Sequence, residues 1–491
     1  MSILVLANIG NSDLTVDGQP LRRPRSEGEA AWMRRDDHRF AMPIIEPCMT
    51  WILNHHQHQR IDRVVLFYTD QPDTPETRKP DRHGVPLRDK DTVWCAQIID
   101  HLLRERFGDQ IGQVERQIIA RIDGASINPS MYDEAFDAYA ELVARLIDPQ
   151  AETCYVLMTG GIPACNSALQ LQAISAFGVR CRVLYQPEGG IPYELRIGDQ
   201  ILKTFRRATA IEALERLDFA TALGIVRQMG DDALIALVEH AHYRECFDFE
   251  RAQEALNRAV RQASGDLRPF LAGLQSDLER LIRNPDMESL LRELVANATI
   301  TFRNGRYADF LGRIFRFQEA ALRLIVETYL QVPTDMSKEA KATNLPLYQR
   351  RINDDPALKA WLDARTIDGT PLRYDTPNIP AMQAMLEYII DEKSVHPDGR
   401  AYLTKDVRGK LTGVKKRLDR ISALSQLRNQ SIIAHGFAGV SRERLAEACG
   451  GNPDSLVDDL KKIAELLGLN SGDSPFDQIS QRAVEHIRRL K

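Results

Sequence analysis

"TCYVLMTGGIPACNSALQL", residues 153–171, passes from an apolar, partly β-branched run into Thr159, Gly160 and Gly161, and then reaches Pro163 at the head of an alanine- and leucine-bearing stretch. The first part has the length and residue types of a buried strand. Proline suits the first position of a helix, because its missing N–H would have no intrahelical partner there. Strand, glycine turn and helix in that order make half of a parallel crossover unit. The pattern recurs outward along the chain. "ILVLANIG" (3–10), "RVVLFYTD" (63–70), "VERQIIA" (114–120) and "VRCRVLYQ" (179–186) are further short apolar runs, and helix-like stretches lie near 43–56, 89–107, 131–147 and 163–177. Such alternation predicts an α/β domain built on a parallel, doubly wound sheet. "YELRI" (193–197) and "QILKTF" (200–205), joined across Gly198 and Asp199, predict a terminal hairpin added to that sheet.

Beyond about residue 207 the strand signals stop and the rest of the chain reads as all-α. Phe219, Phe249 and Tyr307 each stand just ahead of a helix-like run, a loose similarity between helical hairpins. Segments rich in Pro, Asp and Thr at 331–346 and 365–380 are expected loops. Domain boundaries are placed near 207 and 285, giving segments 1–207, 208–284 and 285–491. A chain of 491 residues exceeds the size of a single core, so several domains are expected.

Composition narrows the function classes. A formal charge of -5 leaves no global basic footprint, so any nucleic-acid contact must rest on a local patch. The N-terminus lacks a basic segment ahead of its short apolar run, which reads against a signal peptide, and no stretch approaches the roughly 18 apolar residues that cross a bilayer. The 7 cysteines are scattered and never form C-x-x-C, which suggests neither a zinc ribbon nor a disulfide framework and fits a reducing cytoplasm.

Two strand ends carry candidate ligand loops. "ANIGNSDL" sets Asn8, Gly10, Asn11, Ser12 and Asp13 after the first strand, and the quoted stretch sets Thr159, Gly160 and Gly161 before Pro163 and Asn166. In open α/β sheets ligands bind at the carboxyl ends of strands, where a helix N-terminus offers N–H groups to anions. Neither loop is a Walker A or a G-x-G-x-x-G, and tight strand-to-helix turns alone would explain the same residues. A third strand end, at Thr69, runs into a long polar loop with Arg78, Lys79, Arg82, Arg88 and Lys90, either a binding loop or a solvated surface. His55, His56 and His58 lack a carboxylate or cysteine partner at ligand spacing and read as a polar helix terminus.

"SQLRNQSIIAHGF" (425–437) ends an amphipathic pattern in which Leu411, Leu418, Ser425 and Ile432 form one seven-residue series and Val414, Ile421, Arg428 and His435 form its partner. Residues seven apart on a helix share a face. Gly436 suggests a helix terminus, with His435 in the last turn, where the dipole favours an imidazolium. A seam ending in a guanidinium and an imidazole is either a structural pair or a functional site.

Arg428 and His435, with six residues between them and Asn429 beside the arginine, resemble the R-x(4 to 6)-H motif of HEPN ribonucleases. "FRNGRYADFLGRIFRFQEAALRLIVE" (302–327) resembles an early helix of that domain, and the "NIGNSD" and "TGG-x-P" loops resemble those of the Rossmann-like CARF sensor domain. In this order they resemble the CRISPR-associated CARF–HEPN ribonucleases of type III systems, over 1 to about 205 and about 285 to 491. The resemblance implies a homodimer that binds cyclic oligoadenylate as an allosteric activator between its sensor domains. It further implies that the dimer cuts single-stranded RNA between its HEPN domains, without metal, leaving 2′,3′-cyclic phosphate ends. Asn8, Gly10, Asn11, Ser12, Asp13, Thr69, Thr159, Gly160, Gly161, Pro163 and Asn166 would then line the activator site, and Arg428, Asn429 and His435 the cutting site. Ile162 departs from the family, where Thr often follows the glycine pair. No required cofactor, metal or membrane contact is implied. A non-catalytic nucleotide-sensing regulator, whose helical half binds a protein or RNA partner, is the alternative reading.

Overall fold

The computed structural model describes every residue except 1, 35–38, 122, 148–150, 159, 188, 264–266, 284–285, 368, 395–399, 470–473 and 491. The chain divides into two compact units, Met1–Phe205 and Arg206–Lys491.

In the first unit the strands are β1 (Ser2–Asn8), β2 (Thr15–Val16), β3 (Gln19–Pro20), β4 (Phe40–Ala41), β5 (Ile61–Tyr68), β6 (Ile111–Ile118), β7 (Ala151–Met158), β8 (Cys181–Tyr185) and β9 (Tyr193–Leu195). The main sheet runs β6-β5-β1-β7-β8-β9, and β2 to β4 make a small separate sheet. Pairing is parallel from β6 through β8 and antiparallel only at β9. The chain therefore grows outward from β1 in one direction and then, with β7, in the other. That reversal puts the topological switch point between the carboxyl ends of β1 and β7, which are paired at Leu6 with Val156 and Ala7 with Leu157.

Both sheet faces are covered, which is why the strands read as unbroken apolar runs. Ile3, Val5 and Ala7 of β1 meet α2 (Ile45–His55) and α3 (Val93–Phe107), while Leu4 and Leu6 face α4 (Tyr132–Ala144) and α5 (Pro163–Phe177). A short helix, α1 (Pro24–Arg34), precedes these four. The expected terminal hairpin is corrected in its second arm. β9 pairs back on β8, Val183 with Leu195 and Tyr185 with Tyr193, whereas "QILKTF" lies in a helix, α6 (Ile197–Glu215). Ile197, Ile201 and Phe205 recur every four residues, a helical period that two-residue alternation does not match.

Among its described residues the second unit is helical apart from a two-stranded ribbon, β10 (Thr366–Ile367) and β11 (Thr370–Pro371), inside the expected loop. Its helices after α6 are α7 (Phe219–Val226), α8 (Asp232–Glu245), α9 (Phe249–Gln262), α10 (Leu267–Arg283), α11 (Met287–Arg303), α12 (Tyr307–Leu330), α13 (Lys341–Asn353), α14 (Pro356–Asp363), α15 (Ile379–Ile390), α16 (Lys405–Ser422), α17 (Ser425–Gln430), α18 (Arg442–Cys449), α19 (Asp454–Leu466) and α20 (Pro475–Arg489). Phe219, Phe249 and Tyr307 are each the first residue of their helix. α13 begins at Lys341, inside the stretch expected to be a loop, and holds Pro346 within the helix, where the missing N–H removes one intrahelical hydrogen bond.

Two apolar clusters fill this unit. One joins α7 to α10 with Phe476, Ile479 and Ala483 of α20. The other joins α11, α12, α15, α16 and α19. The polar residues that matter to the site are set by α12. Gln318 reaches across to the Leu418 carbonyl at 3.0 Å and the Ser422 hydroxyl at 2.5 Å, and Gln383 of α15 donates to the same hydroxyl at 2.7 Å. The end of α16 is thus held from two sides.

Candidate active site and switch-point loops

The helical seam read from the sequence holds as far as Ile421 and then breaks. Leu411, Val414, Leu418 and Ile421 are buried, whereas Ser425 and Ile432, due on the same face, are exposed. α16 stops at Ser422, and the apolar face is taken over by Leu424 and Leu427. The chain re-enters a helix for six residues only, in α17.

His435 is therefore not in a last helical turn, and Gly436 is not a helix cap. α17 is capped at Ser431, whose backbone is extended, and the chain reverses there. The buried Ser431 hydroxyl donates to the Arg428 carbonyl at 2.8 Å and accepts from the Ile433 N–H at 3.3 Å. The Gly436 N–H returns to the Ser431 carbonyl at 3.1 Å, and the Ala438 N–H to the Gln430 carbonyl at 2.8 Å. A Cβ on Gly436 would lie 2.0 Å from the Gln430 oxygen, so only glycine closes this turn.

Arg428 rests its guanidinium over the Phe315 ring of α12, 4.5 Å from the centroid, and its Nε and Nη2 donate to the Asn429 Oδ1 at 3.3 and 3.1 Å. Stacking and a neutral acceptor orient the fork without cancelling its charge. Asn429 therefore holds the arginine. His435 is exposed at the tip of the loop and, among the described residues, has no hydrogen-bond or ionic partner. Phe315 and Ser431 escaped sequence reading. An aromatic on a distant helix carries no signal of what it stacks on, and a serine between Arg and His looks like one more polar loop residue.

At the switch point the two glycine loops pack on each other. A Cβ on Gly10 would sit 2.1 Å from the Gly160 oxygen, one on Gly160 would fall 1.8 Å from the Ser12 Oγ, and one on Gly161 would stand 3.0 Å from Asn8. Asn8 and Asn166 are buried and bonded to each other at 2.9 Å, with Tyr139 donating to the Asn8 Oδ1 and Asn166 donating to the Gly161 carbonyl at 3.3 Å. Asp13, fully buried, accepts from the Gly10 N–H at 2.6 Å and the Gly160 N–H at 3.5 Å. Asn11 and Pro163 are exposed and Ser12 is half-buried, so these keep a face toward solvent at the head of α5. Thr159 lies outside the described residues.

Thr69 is buried and braced against Thr92 at the head of α3, its hydroxyl 3.2 Å from the Thr92 N–H. It borders a cavity of about 260 Å³ at the carboxyl ends of β5 and β6, with Gln71, Pro72 and Ile127. The long loop after it is internally neutralised, Arg78 on Asp73 and Lys90 on Asp81. His55 stacks on Trp51 and His56 bonds the Tyr155 hydroxyl at 2.9 Å, which ties that histidine cluster to the fold. Among the described residues no group of three His, Cys, Asp or Glu could hold a metal, and no helix is long and apolar enough to cross a membrane.

Residues 281–482 match the family described as the Cas_Csm6 HEPN domain, which takes in α11, α12, α17 and the Arg428 to His435 loop. Among solved structures the chain is similar to Enterococcus italicus Csm6 bound to cyclic hexa-2'-fluoro-hexa-dAMP, with 13% identity, a TM-score of 0.51, and coverage of 99% of this chain and 100% of that one. The match identifies the later part of the helical unit as HEPN-like, and the likeness to the solved structure extends the shared fold over the whole chain. No curated protein matches it. The broken helix lies inside the segment matched to the HEPN domain, and the switch-point loops lie outside it.

The clasp at the switch point has a pH signature. Burial pushes the Asp13 carboxyl up from 3.8 to about 7, even though the Gly10 and Gly160 N–H groups pull it down. Since the folded value lies above the unfolded one, this contribution to stability is complete below about pH 4 and is lost as pH rises through about 7. Thermal unfolding should accordingly fall more steeply between about pH 4 and pH 7 in the native chain than in Asp13→Asn. Parallel profiles would mean that the buried carboxyl is ionised throughout.

Proposed function

We propose that this chain is an endoribonuclease of type III CRISPR defence in the cytoplasm, cutting single-stranded RNA without metal and activated by cyclic oligoadenylate. The observation that carries the reading is the Arg428 fork, oriented by Phe315 and Asn429 yet still charged, on the same short turn as the exposed imidazole of His435. A guanidinium so presented can hold a phosphodiester bidentately. An imidazole, ordinarily titrating near pH 6.5, can exchange a proton at neutral pH.

In the proposed step a 2′-hydroxyl loses its proton to an imidazole as its oxygen attacks phosphorus. The bond to the 5′-oxygen breaks, and that oxygen takes up a proton. Arg428 balances the charge gathering on the phosphoryl oxygens. The products are a 2′,3′-cyclic phosphate and a 5′-hydroxyl. The active form is a homodimer, a reading supported by the apolar residues of the same loop: Phe437 is 95% exposed and Ile432 71% exposed. Apolar side chains so exposed beside an oriented cation suit a surface that a second copy covers. The loop and the partner's His435 would then form one site.

At the other end, Asn11, Ser12 and the Gly160 to Pro163 turn are the groups proposed to meet the activator. Asn8, Asp13 and Asn166 hold them in place. The similar solved structure carries a cyclic oligoadenylate analogue, which supports this choice of ligand class.

Three outcomes test the reading. Arg428→Ala and His435→Ala should each lower RNA cleavage by about 10²–10⁴-fold with unchanged thermal stability, and undiminished turnover in either would remove the assignment. Cleavage should persist in excess EDTA and fail on RNA whose 2′-hydroxyls are replaced by hydrogen; a strict Mg²⁺ requirement would point to other chemistry. Asn11→Ala should raise the activator concentration needed for half-maximal cleavage by roughly tenfold, about 1.4 kcal/mol, while leaving the maximal rate in place. Superimposable activation curves would take this loop out of the ligand site.

A further inference from the structure

A cavity of about 480 Å³ opens beside the catalytic turn, between α11 and α12. Its size is within the range of about 300–1,000 Å³ usual for sites that take a small organic group. One wall is apolar, with Phe247, Met287, Leu290 and Leu294. The opposite wall carries Arg313, Arg316 and Arg323, all from α12. Ile433, two residues before His435, forms part of the rim and lies against Gly312, where an added Cβ would stand 3.5 Å from its side chain. The cavity and the catalytic turn are therefore in contact.

The charge in this cavity is unbalanced. Three guanidiniums line it against the carboxylates of Asp309 and Glu319. Glu319 is shared by two of the arginines, at 2.8 Å from Arg316 and 2.7 Å from Arg323. Arg313 donates to the neutral Asn297 Oδ1 and, at 3.3 Å, to the Asp309 carbonyl. The Arg323 Nε is buried and, among the described residues, lacks an acceptor. Leaving a charged donor without an acceptor is costly, and this lining leaves one at a cavity that is open to a ligand. Arg316 is exposed, with only one arm engaged, so it can also reach an anion outside the cavity.

We propose that this cavity is a nucleotide subsite for the RNA substrate: its apolar wall takes a base next to the scissile phosphate, and Arg316 and Arg323 take the flanking phosphate. Single-stranded nucleic acid is held in this manner, by flat apolar or aromatic platforms for bases and by arginines along the backbone. The inference rests on the reading of the chain as a ribonuclease, and it adds the position at which sequence preference would be set. Charge complementarity decides the occupant. A second copy's apolar side chain would satisfy Leu290 and Leu294 but would leave the arginine wall without an anion.

The test measures binding rather than cutting. In the His435→Ala background, fluorescence anisotropy would follow a short labelled single-stranded RNA and a base-free ribose-phosphate chain of the same length. Leu290→Trp, which fills the apolar wall, should weaken RNA binding by roughly tenfold and leave the base-free chain unaffected. Arg316→Ala should weaken both probes and lower the salt dependence of log K by about 0.7, as expected when one phosphate is no longer neutralised, and a purely structural role would not produce that change in slope. Thermal unfolding and sedimentation of each variant establish that fold and self-association are retained. If the parent binds RNA and both variants bind it equally well, the subsite is wrong and the ribonuclease reading stands. If Leu290→Trp changes self-association but not RNA binding, the cavity belongs to a second copy and the subsite is wrong. If the parent binds no single-stranded RNA, both readings fall together.

Discussion

Gly10 lies against the Gly160 carbonyl with no room for a single added carbon, and Gly436 lies in the same way against Gln430. In both places backbone packs on backbone, and in both the contact closes a turn that carries candidate functional groups. At the switch point it brings the ends of β1 and β7 into one surface. In the helical unit it folds the chain back from α17, so that His435 stands out at a tip. The constraint is steric before it is chemical: any side chain would push the two segments apart and disperse the groups they present.

What surrounds each contact is polar and buried. Asp13 bonds N–H groups from both switch-point loops, and Asn8 and Asn166 tie β1 to the first turn of α5. Buried polar groups of this kind tolerate little displacement, because the removal of any partner leaves a desolvated donor or acceptor. They give the switch-point loops a fixed shape and leave Asn11 and Ser12 facing solvent. In the helical unit Ser431 has the corresponding position, and the grip of Gln318 and Gln383 on Ser422 fixes where α16 must end.

The broken helix has a chemical consequence. On a continuous helix Arg428 and His435 would share a face with fixed spacing, and the imidazole would lie within the field of a helix C-terminus. The break puts them in different local environments instead. The arginine is pinned over Phe315 and oriented by Asn429, while the histidine is solvent-exposed. One group is thereby preorganised for charge and the other is left open to a reacting proton. The same turn presents Ile433 to the arginine-lined cavity, so the cavity rim and the candidate catalytic groups sit on one short segment.

Much of the fold was legible without coordinates. Strand-like apolar runs, glycine turns and Pro163 determine a parallel sheet with helices on both faces, because those residue types have few other ways to bury themselves. Arg428, Asn429 and His435 stood out as candidates from their spacing and family likeness. Their geometry was not, because a seven-residue seam does not reveal that Leu424 and Leu427 take over its apolar role or that Ser431 ends the helix. Nor does local sequence show that "QILKTF" continues a helix and leaves β9 to pair with β8, a choice made by packing against the rest of the domain. Sequence by itself determined most of the elements and which residues are candidates for chemistry, since both follow from local composition and period. Tertiary structure alone decided which backbone segments touch, which amides are consumed in holding the loops, and which cations line a cavity, because each depends on residues far apart in the chain meeting at a few ångströms.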